Sequence, residues 1–225
     1  MDLSPYQKII ESNRNAFETF FEELVSYNDK VNLTAITDKH DVYTKHFLDS
    51  ILSIDAIPIG SSLVDIGAGA GFPSLPIKIV RPDLDITMVD SLNKRITFLD
   101  YITNLLNIQT TNVHARAEDF AKDHREMYDV AVARAVAKLN TLVEYLLPLI
   151  KVGGRIIAYK GSNFKEELAE STKAIEILGG KYLKTLNFEL PNDYGERNIV
   201  IIEKIKPTPT KYPRSKNQPK TNPIV

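Results

Sequence analysis

The 225-residue sequence carries 28 basic and 29 acidic residues, 43% hydrophobic residues and no cysteine. At roughly 100–200 residues per domain, this is one large domain or one domain with attachments, long enough to bury a core without staples. The missing cysteine excludes disulfides, thiolate metal sites and cysteine nucleophiles; the formal charge of −1 argues against nucleic-acid binding by bulk charge, and no apolar run of about 18 residues suggests a membrane span.

The first residues, Met1 to Glu11, have no long apolar stretch and do not read as a secretory signal. Together with the lack of cysteine, this fits a reducing, cytoplasmic setting. Ile9, Ile10, Phe17, Phe20, Phe21, Leu24 and Val25 recur at helical spacing behind Ser4-Pro5, a cap and first-turn proline. Residues 38–56 continue in helical pattern, so 1–56 reads as an N-terminal helical region.

From Ser61 the texture changes. Strands are expected at 61–66, 85–90, 110–114, 129–133 and 154–159, alternating with helices near 74–80, 93–106, 117–123, 138–150 and 165–178. That alternation predicts an α/β fold with a mostly parallel sheet covered on both faces. After Gly179-Gly180, two extended runs, 181–189 and 198–206, flank a Pro191/Asn192/Asp193/Gly195 loop and predict a closing antiparallel hairpin. This places the main domain at 57–206. Residues 207–225 form a Pro-rich tail with Pro207, Pro209, Pro213, Pro219 and Pro223, expected to be extended or disordered. Charge is uneven: from Lys204 onward stand Lys204, Lys206, Lys211, Arg214, Lys216 and Lys220 with no acid.

The sharpest feature is Asp65-Ile66-Gly67-Ala68-Gly69-Ala70-Gly71-Phe72-Pro73, an apolar strand running into alternating glycines and then an apolar helix. Such a turn lets backbone approach a ligand closely. A dinucleotide fingerprint needs its third glycine where Phe72 stands. Asp65, a carboxylate just before the glycines, would not serve a pyrophosphate but suits an ammonium group. The pattern therefore favours S-adenosylmethionine (SAM), although a bare glycine turn is also common in proteins without such a ligand. Asp90, followed by Ser91, ends the second strand about 20 residues on, where a carboxylate bonds ribose hydroxyls; it also suits a helix N-cap. Ala117 and Glu118 follow the third strand, where a loop would lie over adenine, or they simply open a helix. Arg134 ends the fourth strand, at the mouth of the sheet; the bland alternative is an ion pair with Asp129 or Glu118. The four histidines, His40, His46, His114 and His124, have no metal-ligand spacing. Only His46 is a candidate for the active site, and packing on a helix is the more common fate of such a residue.

Asn28 through Ile36, His46-Phe47-Leu48-Asp49-Ser50, Asp65 through Pro73, Val132 through Ala137, Tyr159-Lys160-Gly161 and Lys211-Tyr212-Pro213-Arg214 together resemble the RsmG (GidB) family. The resemblance runs from about Asn28 to Arg214. It implies a class I SAM-dependent methyltransferase with a Rossmann-like, seven-stranded sheet, acting on N7 of a guanine in small-subunit (16S) ribosomal RNA. It further implies that Gly67 and Phe72 line the SAM pocket, with Asp65, Gly69 and Gly71 in the same loop. Asp90 and Ser91 would hold the ribose, Ala117 and Glu118 would meet the adenine, and Arg134 would sit at the pocket edge near the methyl or target base. Lys160, Lys211, Arg214 and Lys216 are the candidate RNA contacts. The tail departs from the family where a lysine and a glycine are usual and Ser215 and Asn217 stand.

Guanine N7 has a lone pair and no proton, so its methylation needs no general base. The sequence agrees: it has no cysteine for pyrimidine C5 chemistry, and Arg134-Ala135-Val136-Ala137 stands where exocyclic-amine enzymes carry an Asn/Asp-Pro-Pro-aromatic loop. Lys160 keeps ribose methylation formally open. The reading is therefore an enzyme, expected to work as a monomer on ribosomal RNA or the small subunit without metal. The rival is a non-catalytic SAM- or nucleotide-binding module. If all six bases from Lys204 met phosphates, log K would fall with log salt at roughly −4.

Overall fold

In the computed structural model, which describes residues 1–224, the N-terminal apolar stripe forms α1 (Ser4–Ser12) and α2 (Arg14–Val31). They meet at Asn13, whose side chain donates to the Ile9 carbonyl at 2.9 Å. α2 ends at Asn32 in the left-handed region (φ 49°), and the Asn28 side chain accepts from the N–H groups of Leu33 (2.6 Å) and Thr34 (2.8 Å). The following segment is one irregular helix. It comprises α3 (Lys39–Asp41), a π-helical stretch Val42–Leu48 and α4 (Asp49–Ile51), with a 3-10 turn at Ile54–Ala56.

Seven strands form one sheet in the order β3-β2-β1-β4-β5-β7-β6. β1 (Ser62–Ile66), β2 (Asp85–Asp90), β3 (Thr111–His114), β4 (Tyr128–Arg134) and β5 (Ile150–Lys160) are parallel. β6 (Gly180–Glu189) and β7 (Glu196–Lys204) close the sheet antiparallel, as the hairpin signal predicts. Between them run α5 (Ser74–Val80), α6 (Asn93–Leu105), α7 (Ala117–Asp123), α8 (Leu139–Leu146) and α9 (Phe164–Ile177). β5 starts four residues earlier than its apolar run suggests. Gly154 explains why the sequence hides this: a Cβ there would lie 2.6 Å from the Asp129 carbonyl oxygen, so the side chain is missing where the strands approach most closely.

Alternation along the strands splits the core in two. Leu63, Ile86, Met88, Val130, Val132 and Ile157 face Phe17, Phe20 and Phe47 of the N-terminal helices and Phe98 of α6. Val64, Val89, Ala131, Ala133 and Ile156 face Phe120, Leu142, Leu146 and Ile175 on the other side.

The tail corrects an expectation. It is not an extended arm but packs against the second core, with Tyr212 buried, and forms a last short helix α10 (Gln218–Thr221). The reason is electrostatic: Glu144 of α8 is fully buried and is matched by Arg214, which donates to both its oxygens at 2.9 and 2.7 Å. Lys204, expected among the basic end's free charges, is wholly buried and donates to Glu126 (2.7 Å) and the Leu147 carbonyl (2.8 Å).

Candidate active site

The glycine turn sits at the C-terminal end of β1, where doubly wound sheets bind ligands. Gly67, Gly69 and Gly71 all have positive φ (77°, 60° and 93°), which explains their residue type. What the turn's N–H groups do is more informative. Gly67 and Ala68 donate to the Val89 carbonyl at 2.8 and 3.1 Å, Gly71 and Phe72 donate to Ala68 at 2.8 and 3.0 Å, and Gly69 donates to Asp90 Oδ2 at 2.9 Å. A phosphate-binding turn must present such donors to its ligand. Here they are engaged internally, one of them by a carboxylate that would repel a pyrophosphate. The dinucleotide alternative fails on these bonds as well as on Phe72.

Two cavities open at this end of the sheet. The smaller, about 280 Å³, is lined by Gly67, Asp90, Ser91, Ala117, Glu118 and Tyr145 among others. All but Tyr145, which comes from α8, are among the residues expected to hold SAM, and these five are gathered from the ends of β1 and β2 and the segment after β3. Asp90 Oδ1 accepts from the Leu92 N–H at 2.9 Å, an Asx-type turn before α6 rather than the N-cap bond, since Leu92 is the cap residue and has no side-chain cap bond, and Arg95 pairs with Oδ2 at 3.1 Å. With Gly69 also on Oδ2 and Arg95 reaching Oδ1 at 3.5 Å, both oxygens already hold two donors, so a ribose hydroxyl would have to displace Arg95, the longest of them. Asn217 and Lys220 of the tail complete the wall, and the Asn217 N–H reaches Glu118 at 3.4 Å. Neither tail residue carries a signal in the sequence; Asn217 stands where the family pattern is broken.

Asp65, Gly69, Gly71 and Phe72, also expected to hold SAM, do not line this cavity. Asp65 is fully buried, accepts from Ser74 Oγ at 2.6 Å, and has no hydrogen-bond partner for Oδ1 among the described residues. Its side chain is therefore closed off from the smaller cavity, whereas an ammonium ligand would face it. Burial pushes its pKa up to about 7, against the Ser74 bonds that favour the anion. Because the folded value lies above the ordinary 3.8, the native state holds an extra proton between these values. Stability linked to Asp65 is present below pH 3.8 and is lost as pH rises through 7. Asp65→Asn should therefore gain stability relative to the parent progressively from pH 4 to 8 in urea unfolding. A gap that shrinks as pH rises would contradict the assignment.

The larger cavity, about 600 Å³, is built around Arg134. Its Nη1 donates to Asp49 Oδ2 at 2.9 Å and to the Lys45 carbonyl at 3.0 Å, and Nη2 lies 3.1 Å from His46 Nδ1. Its ion-pair partner is thus Asp49, not Asp129 or Glu118. The π-helical stretch makes this possible: the Asp49 N–H bonds Thr44, five residues back, and the Lys45 carbonyl that an α-helix would use accepts from Arg134. His46 must accept at Nδ1, so Nε2 carries the proton and donates to Thr34 Oγ1 at 2.9 Å. Burial, and then the Arg134 charge, hold its pKa down at about 4. His46 also stacks on Phe72 with centroids 4.4 Å apart, and the Arg134 guanidinium lies 5.1 Å from the same ring. The ring that excludes a dinucleotide is thus the platform of the arginine site. Asn28 and Thr34 acquire a purpose here: the loop they shape delivers the hydroxyl that orients His46.

Lys160 lines this cavity, but its ammonium donates to the Ala137 carbonyl (2.8 Å) and Glu167 (2.7 Å). It fixes the 135–138 loop. Arg214 is likewise tied to Glu144, whereas Lys211 and Lys216 are exposed. Asp49 and Arg197, both on the cavity wall, are absent from the sequence-derived site residues. The His46–Asp49 spacing within a family block is the only cue to the first, and Arg197 has none. Among the described residues, no three His, Asp or Glu side chains group to hold a metal, and no helix is long and apolar enough to cross a membrane.

The model of the GidB family, rRNA small subunit methyltransferase G, matches residues 13–200. The chain belongs to this family. It is 49% identical over 222 residues to the ribosomal RNA small subunit methyltransferase G of Staphylococcus aureus (strain Newman), covering 97% of this chain and 93% of that one. The Lactococcus lactis subsp. cremoris (strain MG1363) protein of the same name is 48% identical over 225 residues, with 96% and 93% covered. The fold resembles that of M. jannaschii TYW2, solved in complex with AdoMet (TM-score 0.55, 16% identity, 70% of this chain and 77% of that one). It also resembles precorrin-6y C5,15-methyltransferase from Geobacter metallireducens GS-15 (TM-score 0.53, 15% identity, 70% and 87%). Within the matched span, Arg134 at the end of β4 bonds Lys45, His46 and Asp49 of the N-terminal helical segment.

Proposed function

We propose that this GidB-family chain, a SAM-dependent methyltransferase of small-subunit ribosomal RNA, methylates N7 of a guanine by direct transfer. One observation carries the reading. Val136 and Ala137, just beyond β4, line both cavities, so a donor in one and a base in the other meet across a single wall. In the smaller cavity Gly67, Asp90, Ser91, Ala117 and Glu118 would hold SAM. When bound, it supplies an electrophilic methyl on its sulfonium, which the N7 lone pair accepts with no proton to remove.

The protein's part is then positioning, which contributes on the order of 7–11 kcal/mol in favourable cases. Arg134 cannot stabilise the positive charge arising on the purine, but its guanidinium can donate to O6, the edge beside N7. Its three acceptors in the protein fix that orientation. The neutral His46 adds no positive charge to the site. A single-stranded or looped guanine suits this access, because RNA readers take splayed bases.

Lys211 and Lys216, both exposed, would meet the RNA backbone, while Lys160 and Arg214 act by holding the loop and the tail. Without Lys204 and Arg214, the basic end offers Lys206, Lys211, Lys216 and Lys220, so its salt slope is at most about −3. Lys211→Ala with Lys216→Ala should flatten log K against log salt by about 1.4. An unchanged slope would remove both residues from the RNA surface.

Calorimetric titration tests the cofactor. SAM should bind and NADH should give no heat; the reverse would return the site to dinucleotides.

A further inference from the structure

Among the groups around the larger cavity, Asp49 stands out. It is buried at 3% exposure, and its Oδ1 has no hydrogen-bond partner among the described residues. Arg197 Nε lies 3.3 Å from that oxygen without forming a hydrogen bond. A buried carboxylate oxygen left without a donor is costly. Here it belongs to a side chain on the wall of a cavity of about 600 Å³, within the range of small-ligand sites.

The contacts run in a definite order. Val136 is shared with the cofactor cavity; Arg134 follows two residues earlier at the tip of β4; Asp49 is 2.9 Å from Arg134; Arg197 is 3.3 Å beyond Asp49. Around a guanine the functional groups follow in a matching order: N7, then O6, then N1–H, then the 2-amino group. With N7 at the shared wall and O6 at Arg134, the next groups are two adjacent N–H donors. A carboxylate is their bidentate acceptor, and its oxygens have lone pairs to spare beyond the bond from Arg134. Adenine would present the N1 lone pair to the same carboxylate, a repulsive contact that selects against it.

We propose that Asp49 is a specificity-determining residue that accepts hydrogen bonds from N1–H and the 2-amino group of the target guanine. This rests on the guanine-N7 reading above. Arg197, on the same cavity wall and 3.3 Å from Oδ1, neutralises the carboxylate, so a neutral base can approach it without stranding a buried charge.

The test compares guanosine with inosine, which keeps N7, O6 and N1–H but lacks the 2-amino group. Each is placed by ligation at the mapped position of unmodified small-subunit RNA, assayed free and in reconstituted subunits. The wild-type protein should methylate inosine about tenfold or more slowly in kcat/KM. Asp49→Asn should be slower on guanosine and show little further loss on inosine; a role limited to holding Arg134 would lower both rates equally. Equal wild-type rates on the two bases would overturn the assignment even if the variant does not fold, and so would an unchanged guanosine-to-inosine ratio in a folded variant. If the wild-type reaction forms no N7-methylguanosine at all, the reading beneath the assignment fails instead.

Discussion

Arg134→Ala should reduce methyl transfer by about a hundredfold or more and cost about 3–5 kcal/mol of stability. Both effects come from the same geometry. Arg134 is the charge partner of Asp49, whose side chain is only 5% exposed, and removing it leaves a buried carboxylate with one partner fewer. The guanidinium also ties Lys45 and His46 of the N-terminal helical segment to the end of β4, so its loss loosens the larger cavity's wall. Arg134→Lys keeps the charge but cannot reach three acceptors in one plane. It should recover most of the stability and little of the rate. Urea unfolding and single-turnover kinetics on the three proteins separate these contributions. An alanine variant that transfers methyl at the parental rate with unchanged SAM affinity would remove Arg134 from the mechanism.

Gly67→Ala should weaken SAM binding by about ten- to hundredfold with a modest loss of stability. The residue sits at φ 77°, where an added Cβ costs about 1–2 kcal/mol. That Cβ would also lie 2.7 Å from Val136 Cγ2, on the wall common to both cavities. Gly69 is the internal control. Its φ is also positive, yet nothing lies closer than 3.9 Å to the position of its Cβ. Gly69→Ala should therefore pay the backbone cost alone and bind SAM more tightly than Gly67→Ala. Equal affinities in calorimetry would mean that the Val136 contact is irrelevant to the cofactor.

Particular residues show how far the sequence can be read. Near-continuous apolar runs mark β1, β2 and β4 well, because a parallel sheet buried on both faces requires them. The hairpin is equally plain at Pro191 to Gly195. The smaller cavity, where SAM is proposed to bind, is legible for a related reason: strand ends and glycines repeat a local pattern, and Gly67, Asp90, Ser91, Ala117 and Glu118 each fall at a strand end or just after it. The larger cavity is not local. Asp49 meets Arg134 across 85 residues and Arg197 arrives from β7, a pairing that no periodicity encodes. The tail misleads for a different reason. Proline and lysine content reads as a solvated end, but acids elsewhere in the fold, the buried Glu144 and the half-buried Glu126, hold Arg214 and Lys204 inward. Composition gives no view of such partners.

His46 and Asp65 illustrate the same division. Each is an ordinary residue in its motif, and each takes an unusual protonation behaviour only from surroundings assembled by the fold. His46 stays neutral well below neutrality, whereas Asp65 ionises only near pH 7. Their linkage effects oppose one another. His46 contributes stability that is present above pH 6.5 and is lost as pH falls through about 4, while Asp65 loses its contribution as pH rises.

The central claim is that two cavities sharing one wall bring a methyl donor to guanine N7. Mass-spectrometric mapping of small-subunit ribosomal RNA, treated with purified protein and isotopically labelled SAM, tests it most directly. The label should appear as N7-methylguanosine at one position and disappear from that position with Arg134→Ala. Label on a ribose, on an exocyclic amine or on no nucleotide of that RNA would contradict the account.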